Sequence, residues 1–155
     1  MEMFVLSWVT SYLAIGPRPD SAAWAILEQS EISLVIDLNN DPFEKRTAQH
    51  LGLQYRGLKV PDPMELKDFE TAFPQIHQWI EQERAASGKV YLHCTAGAYR
   101  SPTFAMAHLM SIGETRKEAE NTVKKAHKPT WTSGDIETLR RALHLMENAT
   151  ANTAL

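Results

Sequence analysis

The sequence predicts an α/β fold in which a mainly parallel central sheet of about four to five strands carries helices on both faces. The first observation behind this prediction is the alternation of strand-like and helix-like segments along the 155 residues. The second is segment 32–38, a continuous apolar run rich in β-branched residues, which is typical of a strand buried on both faces. The third is segment 104–110, which is apolar nearly all round and therefore predicts a central buried helix.

Apolar runs, and the glycines and prolines between them, define the elements of the first half. Short runs with strand character predict strands at 4–8, 12–15, 32–38 and 53–58. The sequence Gly16-Pro17-Arg18-Pro19 ends the second of these strands. The predicted helices of this half are 21–29 and 42–51, and Gly52 closes the latter.

The second half is predicted to be mostly helical. Apolar residues follow helical spacing after residue 65, and Pro74 is expected to kink or restart that helix. These apolar residues are Leu66, Phe69, Phe73, Ile76, Trp79 and Ile80. The remaining predicted elements are a strand at 90–92, the buried helix ended by Gly113, a helix at 115–127, and a last helix that starts at Thr132 or Ser133. The residues of the last helix that are expected to face inward are Ile136, Leu139, Leu143 and Met146.

Composition predicts a single globular domain over residues 1–155, with a tail at about 147–155 that frays. The net charge of −3 argues against nucleic-acid or membrane-surface partners, which usually require a basic surface. One cysteine cannot form an internal disulfide, which fits a reducing compartment. The first residues lack the basic start of a signal peptide, and no apolar run reaches membrane-spanning length. We therefore expect a cytoplasmic protein.

The most informative segment is 93–101, which reads His-Cys-Thr-Ala-Gly-Ala-Tyr-Arg-Ser. The five residues between Cys94 and Arg100 can form a short loop whose backbone N–H groups bind an anion, and Arg100 can hold two of its oxygens. Pro102 then opens a helix, and the positive end of that helix favours a thiolate. A lone cysteine is commonly a small buried hydrophobe. With average residue usage, however, the chance of finding His, Gly, Arg and Ser/Thr at these positions around a given cysteine is on the order of one in 10⁵. Cys94 is therefore predicted to be a nucleophile.

The pattern His93-Cys94-x5-Arg100-Ser101 resembles the phosphate-binding loop of the protein tyrosine phosphatase superfamily, and the short chain is similar to the dual-specificity branch. The resemblance extends from about Tyr12 to the last predicted helix. It implies a phosphatase-like α/β fold, no cofactor, and a two-step reaction through a phosphocysteine on Cys94. The implied phosphate-binding residues are Thr95, Ala96, Gly97, Ala98, Tyr99 and Arg100.

Cleavage of an ester requires a proton for the departing oxygen, so a general acid should face the nucleophile. Asp62 lies between two prolines, 32 residues before Cys94, and members of the family carry the general acid on a loop at about this separation. An Asp-Pro pair also commonly starts a turn, but together with the Cys94 motif Asp62 is the preferred candidate. Asp37, at the end of a buried strand, is the competitor, although a structural role suits it better.

Four further expectations concern the loop and its flanks. His93 should point to the opposite face of the strand from Cys94, and the resemblance assigns it a role in supporting the loop by hydrogen bonds. Ser101 can donate a hydrogen bond to the Cys94 sulfur, cap the helix, or do both. Tyr99 departs from many relatives, which have a small residue there, and it either packs on neighbours or lines the rim. The other histidines lack metal-ligand spacing, so no metal is predicted.

The resemblance implies a phosphomonoester hydrolase, and dual specificity for phosphotyrosine and phosphoserine/threonine proteins is preferred because no long insertion would build a deep tyrosine pocket. The loop contains no basic residue before Arg100, which argues against phosphoinositides. The alternative is a glucan phosphatase, since residues 94–97 resemble the loop of plant starch phosphatases and several aromatic rings could stack on sugars: Trp8, Trp24, Trp79, Trp131 and Tyr99. A phosphate-binding pseudophosphatase is disfavoured because Cys94, Arg100 and Asp62 are all present. The oligomeric state does not follow from the sequence.

Overall fold

The computed structural model describes residues 4, 6–95, 99–127 and 133–153. Within these ranges the strands are β1 (Ser7–Trp8), β2 (Leu13–Gly16), β3 (Leu34–Asp37), β4 (Gln54–Gly57) and β5 (Val90–His93). The helices are α1 (Ser21–Gln29), α2 (Pro42–His50), α3 (Leu66–Ala85), α4 (Arg100–Ser111), α5 (Arg116–Ala126) and α6 (Ser133–Thr153). Every predicted element is therefore present, with boundaries that shift by a few residues.

The five strands form one sheet in the order β1-β2-β5-β3-β4. All neighbouring strands are parallel except β1, which pairs antiparallel with β2. The predicted mainly parallel sheet is confirmed. Strand β5 lies between β2 and β3, although it follows both in the sequence, so the direction in which successive strands are added reverses at β5. Ligands of open α/β sheets bind at such a reversal, outside the carboxyl ends of the strands.

The strand register divides the apolar side chains between two cores. Val90 of β5 lies beside Leu13 and Leu34, and these side chains point to the same face. That face packs against α3, α4, α5 and α6 in the main core. The alternate residues, such as Tyr91 and Val35, point to the opposite face and pack with residues of α1 and α2 in a smaller core. The sheet is thus covered on both faces, as the sequence predicts.

Helix α4 is the central helix of the main core. Its residues from Arg100 to Met110 are all buried, which confirms the interpretation of its continuous apolar sequence. Gly113 follows the helix with a φ of 116°, a left-handed conformation that favours glycine. Despite this burial, none of the described helices combines the length and the apolar character needed to cross a membrane.

Two features of the helices differ from expectation or extend it. Helix α3 continues through Pro74 instead of restarting there. Pro74 is exposed, so the carbonyl that loses its hydrogen-bond donor can turn to solvent. Helix α6 begins at Ser133, one of the two predicted starts, and extends to Thr153. Fraying of the tail at about 147–155 stays a prediction. Of its predicted inward residues, Leu139, Leu143 and Met146 are buried and Ile136 is partly buried.

The side chains of Tyr12, His108 and His77 form a row of polar contacts at the side of the main core, and His108 belongs to α4. The His108 ring is fully buried, its Nδ1 lies 2.9 Å from His77 Nδ1, and its Nε2 lies 2.8 Å from the Tyr12 hydroxyl. Burial lowers the pKa of His108 from 6.5 to about 3, and the nearby charges of His77 and Arg84 act in the same direction. Burial also lowers the pKa of His77. His108 is therefore neutral in the folded protein at neutral pH.

We expect His108 to make the protein less stable in acid. Because its pKa is lower in the folded than in the unfolded state, its contribution to stability is complete above pH 6.5 and is lost as the pH falls towards about 3. In that window it lowers the free energy of unfolding by about 1.4 kcal/mol for each pH unit. The free energy of unfolding can be measured with urea at several pH values. It should fall less steeply with decreasing pH for His108→Gln, which keeps a polar side chain that does not titrate. The same dependence of the free energy of unfolding on pH in the native protein and in His108→Gln would contradict the role given to His108.

Candidate active site

Cys94 lies directly after β5, at the carboxyl edge of the sheet where the strand order reverses. Its side chain is 2% exposed, and its Sγ lies 3.6 Å from the hydroxyl oxygen of Ser101 in the first turn of α4. The amino end of α4 therefore faces the sulfur, as the sequence predicts. The predicted loop residues Ala96, Gly97 and Ala98 lie outside the described residues.

Arg100 is buried, and its guanidinium is held by oxygen atoms from three segments. Nη1 donates to the carbonyl oxygen of Val60 at 2.8 Å and to Asn39 Oδ1 at 3.3 Å. Nη2 donates to Thr95 Oγ1 at 3.3 Å and lies 3.8 Å from Asp62 Oδ2. All three hydrogen-bond acceptors are neutral. The guanidinium is thus held in place by neutral groups. Of the four residues that it contacts here, only Asp62 carries a negative charge, and its carboxylate is the most distant.

Asp62 and Asp37, the two candidates for the general acid, have opposite surroundings. The Asp62 side chain is 60% exposed and lies beside Arg100. Asp37 is fully buried, and its carboxylate accepts hydrogen bonds from the N–H groups of Asn39 and Asp41 and from the Tyr55 hydroxyl. Burial, and then the hydrogen bond to Asp37, raise the pKa of Tyr55, so it remains a donor. These contacts fit the structural role that we expected for Asp37.

His93 is the last residue of β5 and points to the face opposite Cys94, as the strand alternation requires. Its Nδ1 donates to the carbonyl oxygen of Cys94 at 2.9 Å. Its Nε2 lies 2.6 Å from Glu44 Oε2, in the first turn of α2. The imidazole therefore connects the backbone at Cys94 to α2, which is the kind of contact that supports a loop.

Asp37, Glu44 and His93 are also the one group of described residues whose donor atoms are close enough to hold a metal ion, within 4.8 Å of one another. These donor atoms already have protein partners. His93 and Glu44 are hydrogen-bonded to each other, and both oxygens of Asp37 accept hydrogen bonds from N–H or O–H groups. The remaining oxygen, Glu44 Oε1, accepts no hydrogen bond among the described residues and lies 3.4 Å from Arg18 Nε.

The structure resolves the two interpretations of Tyr99 in favour of packing. The side chain is 5% exposed and belongs to the main core. Its hydroxyl oxygen accepts a hydrogen bond from the backbone N–H of Met64. Tyr99 therefore does not line the rim, and it contacts the segment that carries Asp62.

Two residues of the site were not predicted from the sequence. Asn39 accepts hydrogen bonds from Thr95 at 3.2 Å and from Arg100 at 3.3 Å, and Glu44 contacts His93. Asn39 directly follows a buried strand, and polar residues at the carboxyl end of such a strand are a general signal for a site. Glu44 had no comparable signal, because an acidic residue in the first turn of a helix is common for reasons of the helix dipole.

The aromatic residues that suggested sugar stacking are dispersed. Trp24 is 7% exposed in the smaller core, and Trp79 is partly buried against the main core. Trp8 is 37% exposed, but it lies on the edge strand β1. Tyr99 is buried, and Trp131 lies outside the described residues. The described rings thus offer no shared stacking surface at the site.

Comparisons with known proteins agree with this geometry. The family described as "Dual specificity phosphatase, catalytic domain" matches residues 13–135. Dual specificity protein phosphatase 5 of Homo sapiens is 30% identical over 118 residues, which are 76% of this chain and 30% of that protein. Tyrosine-protein phosphatase vhp-1 of Caenorhabditis elegans is 29% identical over 105 residues, 68% of this chain and 16% of that protein. The crystal structure of Tk-PTP in the active form covers 90% of this chain and 96% of its own, with 21% identity and a TM-score of 0.74.

The chain belongs to the dual-specificity phosphatase catalytic-domain family, within the protein tyrosine phosphatase superfamily. The structural likeness to Tk-PTP supports the phosphatase-like α/β fold. The chain spans less than a third of the length of the human relative that it matches.

Proposed function

We propose that this chain is a cysteine-dependent phosphomonoester hydrolase, most specifically a dual-specificity protein phosphatase. The observation that carries the proposal is the meeting of three predicted residues at one edge of the sheet. The Cys94 sulfur lies 3.6 Å from the Ser101 hydroxyl at the start of α4. Arg100 donates to Thr95, the residue after Cys94, and Asp62 lies 3.8 Å from that guanidinium. Family membership supports the same chemistry.

In the first proposed step the Cys94 thiolate attacks phosphorus and an S–P bond forms. The bond between phosphorus and the ester oxygen breaks, and Asp62 donates its proton to that oxygen so that an alcohol or a phenol leaves. Arg100 binds two phosphoryl oxygens, and the N–H groups of the loop stabilise the charge that develops on them. Ser101 can donate a hydrogen bond to the sulfur.

In the second proposed step a water molecule attacks the phosphorus of the phosphocysteine. The Asp62 carboxylate removes a proton from this water, the S–P bond breaks, and the electron pair returns to sulfur as the thiolate. Ser101, at 3.6 Å from Sγ, is placed to stabilise the departing sulfur by a hydrogen bond. Inorganic phosphate leaves, and Asp62 is again protonated for the next cycle. No cofactor is required for either step.

The proposed substrates are proteins that carry phosphotyrosine or phosphoserine/threonine. The names of the relatives include dual-specificity and tyrosine-protein phosphatases, and the loop has no basic residue before Arg100 that would neutralise a phosphoinositide. Glucan is less well supported because Trp24 and Tyr99 are buried. A reducing compartment such as the cytoplasm suits the proposed thiolate, since oxidation would block it.

A substrate panel tests the proposal. The purified protein should hydrolyse nitrophenyl phosphate and both phosphotyrosine and phosphothreonine peptides. It should hydrolyse these substrates more efficiently than it hydrolyses phosphoinositides or phosphorylated glucan. EDTA should not reduce the activity, because no metal takes part in either step. Faster release of phosphate from glucan than from the peptides would favour the alternative activity. Binding of phosphopeptides without any turnover would favour a pseudophosphatase.

A further inference from the structure

Tyr99 is a fixed point at the start of α4. Its carbonyl oxygen accepts hydrogen bonds from the Thr103 N–H at 2.9 Å and from Thr103 Oγ1 at 2.6 Å, which hold its backbone in the first turn of the helix. Its ring is 5% exposed in the main core. The ring ends in a hydroxyl oxygen that accepts from the backbone N–H of Met64, whose own side chain is 1% exposed.

The next residue, Arg100, contacts the other end of the same segment. Its Nη1 donates to the carbonyl oxygen of Val60 at 2.8 Å. Two consecutive residues of the phosphate loop thus hold the backbone of segment 60–64 at both ends, and Asp62 lies in the middle. Among the described residues the exposed Asp62 side chain makes no hydrogen bond and has Arg100 as its ion-pair partner at 3.8 Å. Its position therefore depends on how its backbone is held.

We propose that Tyr99 is a positioning residue for the general acid: its hydroxyl holds the backbone at Met64 so that Asp62 faces the leaving group. This inference rests on the function proposed above. Displacing a catalytic group by a small distance can cost a large part of its effect on the rate. Losing one anchor of segment 60–64 therefore impairs the proton transfer, while nucleophilic attack by Cys94 is less affected.

The hydroxyl keeps this role throughout the pH range in which a phosphatase works. Burial raises the pKa of Tyr99 above its usual value of 10, and the negative charge of Asp62 acts in the same direction although the Met64 N–H opposes it. Tyr99 is thus neutral at the relevant pH. A change in the pH–rate profile of a Tyr99 variant would therefore come from the proton donor and not from titration of the phenol.

The test is Tyr99→Phe, which keeps the ring and removes the hydroxyl. We expect kcat/KM for a phosphoserine peptide, which reports the first step and whose alkoxide needs a proton, to fall about five- to tenfold, the effect of losing one hydrogen bond. The loss on nitrophenyl phosphate, whose phenolate leaves without a proton, should be much smaller. The basic limb of the pH profile of kcat/KM for the peptide should change as well. A loss of equal size on both esters would overturn the proposal, because it would show a structural effect on the whole site.

Two further variants separate positioning from stability. Tyr12→Phe also removes one hydroxyl, which lies 2.8 Å from His108 Nε2 in the core, and it should leave the ratio of the two activities unchanged. Combining Tyr99→Phe with Asp62→Asn should cost no more than Asp62→Asn alone, since an absent acid cannot be misplaced. Additive losses would overturn the inference. If the native protein hydrolyses neither ester, the proposed function itself fails. If the native protein hydrolyses both esters but Tyr99→Phe shows no larger loss on the peptide than on nitrophenyl phosphate, the inference alone fails.

Discussion

Replacing Cys94 with serine should abolish turnover of both aryl and peptide phosphates. The hydroxyl of serine ionises far less readily than a thiol, so the attacking group of the proposed first step is lost. The expected fall in kcat is about 10⁶-fold, the size seen when the nucleophile of a covalent mechanism is removed. Binding of phosphate or vanadate should remain, because Arg100 keeps its hydrogen bonds to Val60, Asn39 and Thr95.

Acid quenching of the native protein during turnover of a labelled substrate provides the matching positive result. The label should remain on Cys94 of the native chain and be absent from the serine variant. Unfolding in urea should show that Cys94→Ser is folded, so that its inactivity reports the chemistry. Substantial activity of the serine variant, or a label on another residue, would refute the assignment of the nucleophile.

Asp62→Asn should lower kcat/KM, which reports the first step, far more for a phosphoserine peptide than for nitrophenyl phosphate. Asparagine keeps the shape of the side chain but cannot donate a proton to an alkoxide. General acid catalysis contributes about 10²–10⁴-fold, so the loss on the peptide should lie in that range. The basic limb of the pH–rate profile should flatten, because in the proposed reaction it reports the need for a protonated acid.

Asp68→Asn is the matched control for this prediction. Asp68 lies in the first turn of α3, where its Oδ2 accepts a hydrogen bond from the Glu65 N–H. The variant makes the same chemical change as Asp62→Asn, six residues further along the chain. It should leave both activities and the basic limb unchanged. Equal losses on both esters for Asp62→Asn, with an unchanged basic limb, would transfer the acid role to another residue.

The parts of the site that could be predicted from the sequence are those encoded in one continuous segment. Cys94, Arg100 and Ser101 lie within eight residues, and the strand before them and helix after them fix their relation. Asp62 was predicted because a resemblance supplied its separation from Cys94. Its place beside Arg100 agrees with that prediction, whereas its role as the acid stays a prediction.

Contacts that depend on strand order could not be predicted in this way. Asn39 contacts Arg100 because β3 lies beside β5 in the sheet. In the sequence, 52 residues lie between the end of β3 at Asp37 and the start of β5 at Val90. Glu44 meets His93 because α2 covers the same face of the sheet to which the last residue of β5 points. The antiparallel pairing of β1 was missed for a similar reason: two short apolar runs specify that strands exist but not their direction.

The neutral acceptors around Arg100 have a consequence for how the protein would behave in solution. Carbonyl, amide and hydroxyl oxygens orient the guanidinium without cancelling its charge, and the carboxylate of Asp62 is more distant and exposed. A cation held in this manner attracts any compact dianion, including the phosphate that the proposed reaction releases. Buffer anions such as sulfate and phosphate would then compete with substrate, and the measured affinity would depend on the choice of buffer as much as on the peptide sequence.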